Sequence, residues 1–226
     1  MKKLYMIVLA SLMLASSAFA TSTTCPTGPL SLYLVSGFSC STNLLTFNAW
    51  GYSTTATGSG TPIAASGVSV TPILTSGDEG FQFNGPWSVS SVGGGPGTED
   101  SLISFTASGT AINDLELFFN GAVTGTGQSG VTENYCLNHS LAGCPNGSAG
   151  QIKVTNPPPG FNDHVFFSPA GSVSVSKDIL VSTGNGPGSA MISQVINSFS
   201  SPEPLSFVLL GSGLLGLGLL RKRIKH

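Results

Sequence analysis

The chain has 226 residues, with eight basic against ten acidic side chains, and only 8% of it is charged. Residues 21–200 carry two lysines, Lys153 and Lys177, against nine carboxylates, a net charge of −7. Such a surface repels phosphate backbones, which excludes nucleic acid as an expected partner, and the length suits one domain with a sizeable core.

The first segment is an export signal. "MKK" is a basic start, "LYMIVLASLMLA" an apolar stretch, and "AFA", Ala18 to Ala20, a small-x-small cleavage site. Residues 1–20 are therefore expected to be a signal peptide removed by signal peptidase, with the mature chain starting at Thr21. Export places the protein in an oxidising compartment.

Residues 21–200 read as an all-β ectodomain. "NDLELFFNG" alternates Leu115, Leu117 and Phe119 with Asp114, Glu116 and Phe118, and "SVSVSK" alternates Val173 and Val175 with serines. That two-residue period belongs to half-buried strands. Similar runs recur in chain order at "LSLYLV", "LLTFNAW", "GVSVTPIL", "FQFNG", "SLISFTA" and "HVFFS", separated by turn clusters such as "TATGSGTP", "VGGGPGTED" and "TNPPPG". "AMISQVINSF" fits helical spacing at Ile192, Val195, Ile196 and Phe199, yet it follows only strands and is expected to be the last of them. Many short strands predict a two-sheet, jelly-roll-like β-sandwich.

Four cysteines lie in this part: Cys25, Cys40, Cys136 and Cys144. Three pairings are open. Locality favours Cys25 with Cys40 and Cys136 with Cys144, because each pair brackets a turn-rich segment. A zinc site is disfavoured by the lack of C-x-x-C pairs and by the oxidising compartment.

Catalytic signals are sparse. No G-x-S-x-G elbow occurs, and the Asp163–His164 neighbours of a strand point to opposite faces, as in any strand, so they do not form a dyad. His139 and His164 read as surface histidines. The pairs Asp78–Glu79 and Glu99–Asp100 sit in glycine-rich surroundings; they suit a calcium ion or glycosidase carboxylates in type, but without the spacing of a calcium loop they read as solvated turn residues. Trp50, Tyr52 and Trp87 offer a candidate sugar-stacking platform, with burial in the core as the competing reading. The sequence calls for no metal or cofactor, and a non-enzymatic protein is expected.

The last segment is apolar. Leu205 to Leu220 carries no charge and runs into "RKRIKH", Arg221 to His226. As a helix it would be about 24 Å long, slightly short of a hydrocarbon core of about 30 Å. The cationic end is expected to stay cytoplasmic, leaving the ectodomain outside. Gly211, Gly213 and Gly216 match G-x-G-x-x-G, but Pro202 and Pro204 stand where a strand should be and no carboxylate follows, so a nucleotide loop is excluded.

"SPEPLSFVLLGSGLLGLGLLRKR", Ser201 to Arg223, resembles the PEP-CTERM sorting tail of bacterial exported proteins: the triplet Pro202, Glu203, Pro204, a glycine-containing apolar helix, and the basic end Arg221, Lys222, Arg223. The resemblance implies recognition by an exosortase, which removes the tail of residues 201–226 and passes the ectodomain to the cell surface or extracellular polysaccharide. Two prolines keep the triplet out of the helix and extended. "SGFSC", "FNAWGY" and "KDILVS" are also similar to stretches of uncharacterised ectodomains with such tails, a likeness that implies no activity. The expected role is a surface or matrix structural protein, with a carbohydrate-binding or adhesive module as the alternative.

Overall fold

The computed structural model describes residues 23–201 other than 76, 94, 158 and 159. The expected signal peptide, the Pro-Glu-Pro triplet, the apolar segment 205–220 and the basic end lie outside the described residues. Among the described residues no helix is long and apolar enough to cross a membrane.

Among the described residues ten strands follow one another: β1 (Gly28–Pro29), β2 (Cys40–Ser41), β3 (Thr46–Thr57), β4 (Ser69–Thr75), β5 (Asp78–Ser91), β6 (Thr98–Gly125), β7 (Gln128–Leu137), β8 (Ala149–Asn156), β9 (Asn162–Ser182) and β10 (Gly188–Ser200). Every ladder between them is antiparallel. The only helical pieces among the described residues are three short 3-10 turns.

Two long strands make the sandwich. The first half of β6, Thr98–Ser108, lies between β3 and the second half of β9. Its second half, Asp114–Gly125, pairs with β10, and Asp114–Phe118 also meets the first half of β9. The break falls between Ser108 and Asp114, where Ala111 has a φ of 64° and the ladder to β9 shifts register. Such an irregularity bends a strand. β6 therefore serves both layers: β1, β4, β5 and β10 beside its second half, and β2, β3, β9, β7 and β8 beside its first.

The layers meet through aromatic side chains. Phe47 of β3 packs on Phe81 of β5 at 4.6 Å between ring centroids, and Phe105 of β6 lies 6.0 Å from Phe199 of β10. Phe47, Phe81, Phe83, Phe105, Phe119 and Phe199 are all buried. The β-sandwich follows from the period-two pattern, and "AMISQVINSF" is part of β10, as its context required.

Two expectations need correction. "LSLYLV" is not a strand: Leu30–Leu32 is a 3-10 turn that sends Leu30 and Tyr33 into the core, a three-residue spacing. "SLISFTA" and "NDLELFFNG" are one strand, as are "HVFFS" and "SVSVSK", because β6 and β9 bend without stopping. β7 and β8 lie outside the runs expected as strands; in β7, Glu133 takes an inward position between Val131 and Tyr135 and interrupts the apolar alternation.

Candidate functional site

Both cysteine pairs are bonded locally, Cys25 to Cys40 and Cys136 to Cys144, and no cysteine among the described residues is free. The first bridge holds the incoming chain against β2. The second closes the loop beyond β7, where the His139 carbonyl accepts a hydrogen bond from Ser174 at 2.8 Å.

The aromatic platform is absent. Ala49, with a φ of 54°, forms a bulge in β3, and the register to β6 shifts between Asn48 and Gly51. The extra residue changes the phase of the strand, so Trp50 and Tyr52 join Phe47 on the inner face. Trp50 stacks on Phe105 at 4.6 Å, and the Tyr52 hydroxyl donates to the Ile63 carbonyl at 2.6 Å. Trp87 is 0% exposed, its ring lying over Gly85, where an added Cβ would come within 2.8 Å of the indole. Trp87 is therefore core, and Trp50 and Tyr52 are half-buried and packed against it.

The acidic pairs are split by strand alternation and are not solvated turns. Glu79, 1% exposed, ties down the turn before β3: its carboxylate accepts from the Leu44 N–H at 3.0 Å, the Leu45 N–H at 3.1 Å and the Thr42 hydroxyl. Glu99 also points inward, accepting from the Ser101 hydroxyl at 2.7 Å, and burial raises its pKa to about 7. Asp100 points outward. Its carboxyl partner comes from β9: burial, a hydrogen bond with Asp178 and the charge of Asp178 push the Asp100 pKa up to about 6. Among the described residues no group of three or more His, Cys, Asp or Glu side chains comes together as a metal site would need.

Asp178 is shared by two hollows on the outer face of the second layer. One, of about 390 Å³, is lined by Gln128, Thr132, Lys153, Thr155, Asn156 and Asp178. The other, of about 160 Å³, is lined by Ser53, Thr55, Asp100, Leu102 and Asp178. Asp178 Oδ1 is shielded from solvent by its neighbours. Together they form an open polar strip of hydroxyls, amides and two carboxyls, interrupted by the exposed leucines Leu102 and Leu180. A larger hollow of about 620 Å³ involving the first layer, lined by residues such as Ser59, Thr61, Ser88, Thr124 and Met191, has no ionisable side chain.

The histidines stand apart from this strip. Asp163 accepts from the backbone N–H groups of Lys153 and His164, each at 2.9 Å, while the His164 ring leans edge-on against Phe166 at 5.2 Å. Asp178 was missed from sequence because pairing register decides which outward carboxyl meets Asp100. The signal present was a strictly alternating strand, Val173 to Val181, whose outward positions include an aspartate.

No protein-family model matches this chain, and no curated protein matches it either. Among solved structures it is similar to the carbohydrate-binding module TmCBM61 in complex with β-1,4-galactotriose, at 10% identity and a TM-score of 0.34, over 66% of this chain and 87% of the other. The enzymatically active domain of tailspike protein 4 from bacteriophage CBA120 gives 15% identity and a TM-score of 0.29, over 66% of this chain and 19% of the other. A Glycosylation Associate Protein complex from Streptococcus agalactiae gives 11% and 0.27, over 67% of this chain and 26% of the other. At such scores the likeness carries no argument about activity.

Proposed function

We propose that this chain is an exported, non-enzymatic protein of the cell surface or extracellular matrix, sorted by an exosortase through its PEP-CTERM-like tail. The observation that carries the first half of this reading is the complete pairing of the described cysteines, a chemistry that persists in oxidising compartments. The tail sequence carries the second half. Surface labelling of intact cells tests the location: the protein should be labelled outside, with both disulfides intact. Recovery from the cytoplasm with reduced thiols would overturn it.

The outer strip on β6, β9 and β7 favours a second reading, attachment to polysaccharide. Carboxylates and amides accept and donate hydrogen bonds to sugar hydroxyls, and exposed leucines cover the C–H faces of the rings. The specific observation is that Asp178 lines both polar hollows. Binding of the mature domain to the host's own polysaccharide should weaken about tenfold or more on Asp178→Asn, the worth of a hydrogen bond to a charged group. Equal binding by the variant would dismiss this face.

A further inference from the structure

Three buried side chains lie between the layers, and one of them, Glu133, contacts both of the others. Lys177 on β9 and Glu133 on β7 are direct cross-strand partners, and Asn197 lies on β10 in the facing layer. All three are 0% exposed. Lys177 Nζ is 3.2 Å from Glu133 Oε1, and Asn197 Nδ2 donates to Glu133 Oε2 at 3.0 Å. One carboxyl thus touches the amine of one strand and the carboxamide of another, with one oxygen for each.

Apart from the Glu116 carbonyl, which accepts from Asn197 Nδ2 at 3.1 Å, the surroundings of the trio are aromatic. Lys177 Nζ sits 4.2 Å from the centroid of the Phe105 ring and 5.9 Å from that of Phe83. The polar atoms are incompletely satisfied: Lys177 Nζ, Glu133 Oε1 and Asn197 Oδ1 have no well-aligned hydrogen bond. A buried ion pair is costly unless its remaining hydrogen-bonding capacity is filled. Burial lowers the Lys177 pKa to about 8 and raises that of Glu133, so the pair is displaced toward a neutral amine beside a neutral acid.

We propose that Lys177 and Asn197 form an intramolecular isopeptide bond across the sandwich, with Glu133 as the proton carrier. Glu133 takes a proton from the Lys177 ammonium, leaving a neutral nucleophile shielded from water by Phe105 and Phe83. The amine nitrogen attacks Asn197 Cγ and a C–N bond forms. Glu133 carries the proton released by the attacking nitrogen to Asn197 Nδ2, the Cγ–Nδ2 bond breaks, and ammonia leaves with the electron pair of that bond. One amine and one carboxamide give one secondary amide and one ammonia. Nothing is oxidised or reduced, and no co-reactant is required. Glu133 ends as the neutral acid, so the reaction removes the charges from the core. This inference stands on the buried trio alone and does not depend on the sorting or glycan readings.

The test is intact-mass measurement of the mature wild-type protein, first shown to unfold cooperatively, then reduced and denatured. The expected mass is below the sequence mass by one ammonia molecule. Trypsin should fail to cut after Lys177 while cutting after Lys153, and fragmentation should show a branched peptide joining Lys177 to Asn197. Glu133→Gln should fold yet carry the full sequence mass, and Asn197→Asp should lose one water instead of one ammonia wherever it reacts. A folded wild-type protein with the full sequence mass and normal cleavage after Lys177 overturns the proposal, whatever the variants do.

Discussion

Asp100 and Asp178 occupy diagonal corners of one square of the β6–β9 ladder, with Leu180 opposite the first and Leu102 opposite the second. Diagonal neighbours on one face of an antiparallel pair lie within reach of each other's side chains. A carboxyl placed beside another in this way, as Asp100 is, holds its proton more tightly.

This pairing fixes how Asp100 titrates. Its carboxyl is raised from the ordinary value of 3.8 to about 6 by burial first, then by Asp178. Replacing Asp178 with asparagine removes the second cause and leaves the first. The midpoint of Asp100 in a carboxyl-resolved NMR titration should move down from about 6, stopping short of 3.8. A midpoint unchanged in Asp178→Asn would show that the two groups are not coupled.

Glu99 gives a stability prediction with a defined sign. Its folded pKa, about 7, lies above its ordinary 4.5, so in that interval the folded state holds more protons than the unfolded one. Stability from this group is then full below 4.5 and falls as pH rises through about 7. Glu99→Gln cannot ionise and escapes the loss. In urea denaturation the variant's stability relative to wild type should climb as the pH is raised through this range. A constant difference between the two proteins would mean that burial does not hold Glu99 neutral.

Glu79 should act as a structural latch. Glu79→Ala leaves the buried Leu45 N–H and the Leu44 N–H without their acceptor. Unsatisfied donors of this kind cost about 1–3 kcal/mol each, so the variant should be destabilised by roughly 3 kcal/mol. Millimolar calcium should leave the wild-type Tm unchanged, because a carboxylate occupied by three protein donors has little to offer a cation. A variant of wild-type stability, or a Tm that rises by several degrees in calcium, would remove this assignment.

The strands were legible wherever inward positions were uniformly apolar, as in Leu115, Leu117 and Phe119. β7 was hidden by Glu133, whose charge occupies an inward position and breaks the pattern although its backbone does not. The same residue explains why the Lys177 trio was not foreseen: its three members lie on three strands, and only register brings them together. Trp50 and Tyr52 do share a face, as alternation requires, but the bulge at Ala49 turns that face inward, and a bulge at an alanine has no sequence mark. The acidic pairs misled for the converse reason, since neighbours in a strand part to opposite faces. The local disulfide pairing was readable because each pair brackets a short turn-rich segment.

The proposed sorting of this chain is tested most directly by fractionating the native host into membrane-bound and released protein. On the proposed reading, Pro202 and Pro204 would keep a helix out of the segment before the apolar run, and alanine at both positions would let one grow through it. A protease needs an extended substrate, so the Pro202→Ala, Pro204→Ala double variant should stay in the membrane fraction, as wild type should in an exosortase-deficient strain. Leu214→Ile keeps apolar length and charge asymmetry and should be released like wild type. Normal release of the double alanine variant with retention of Leu214→Ile would contradict the account, placing the signal in the apolar helix instead of the triplet.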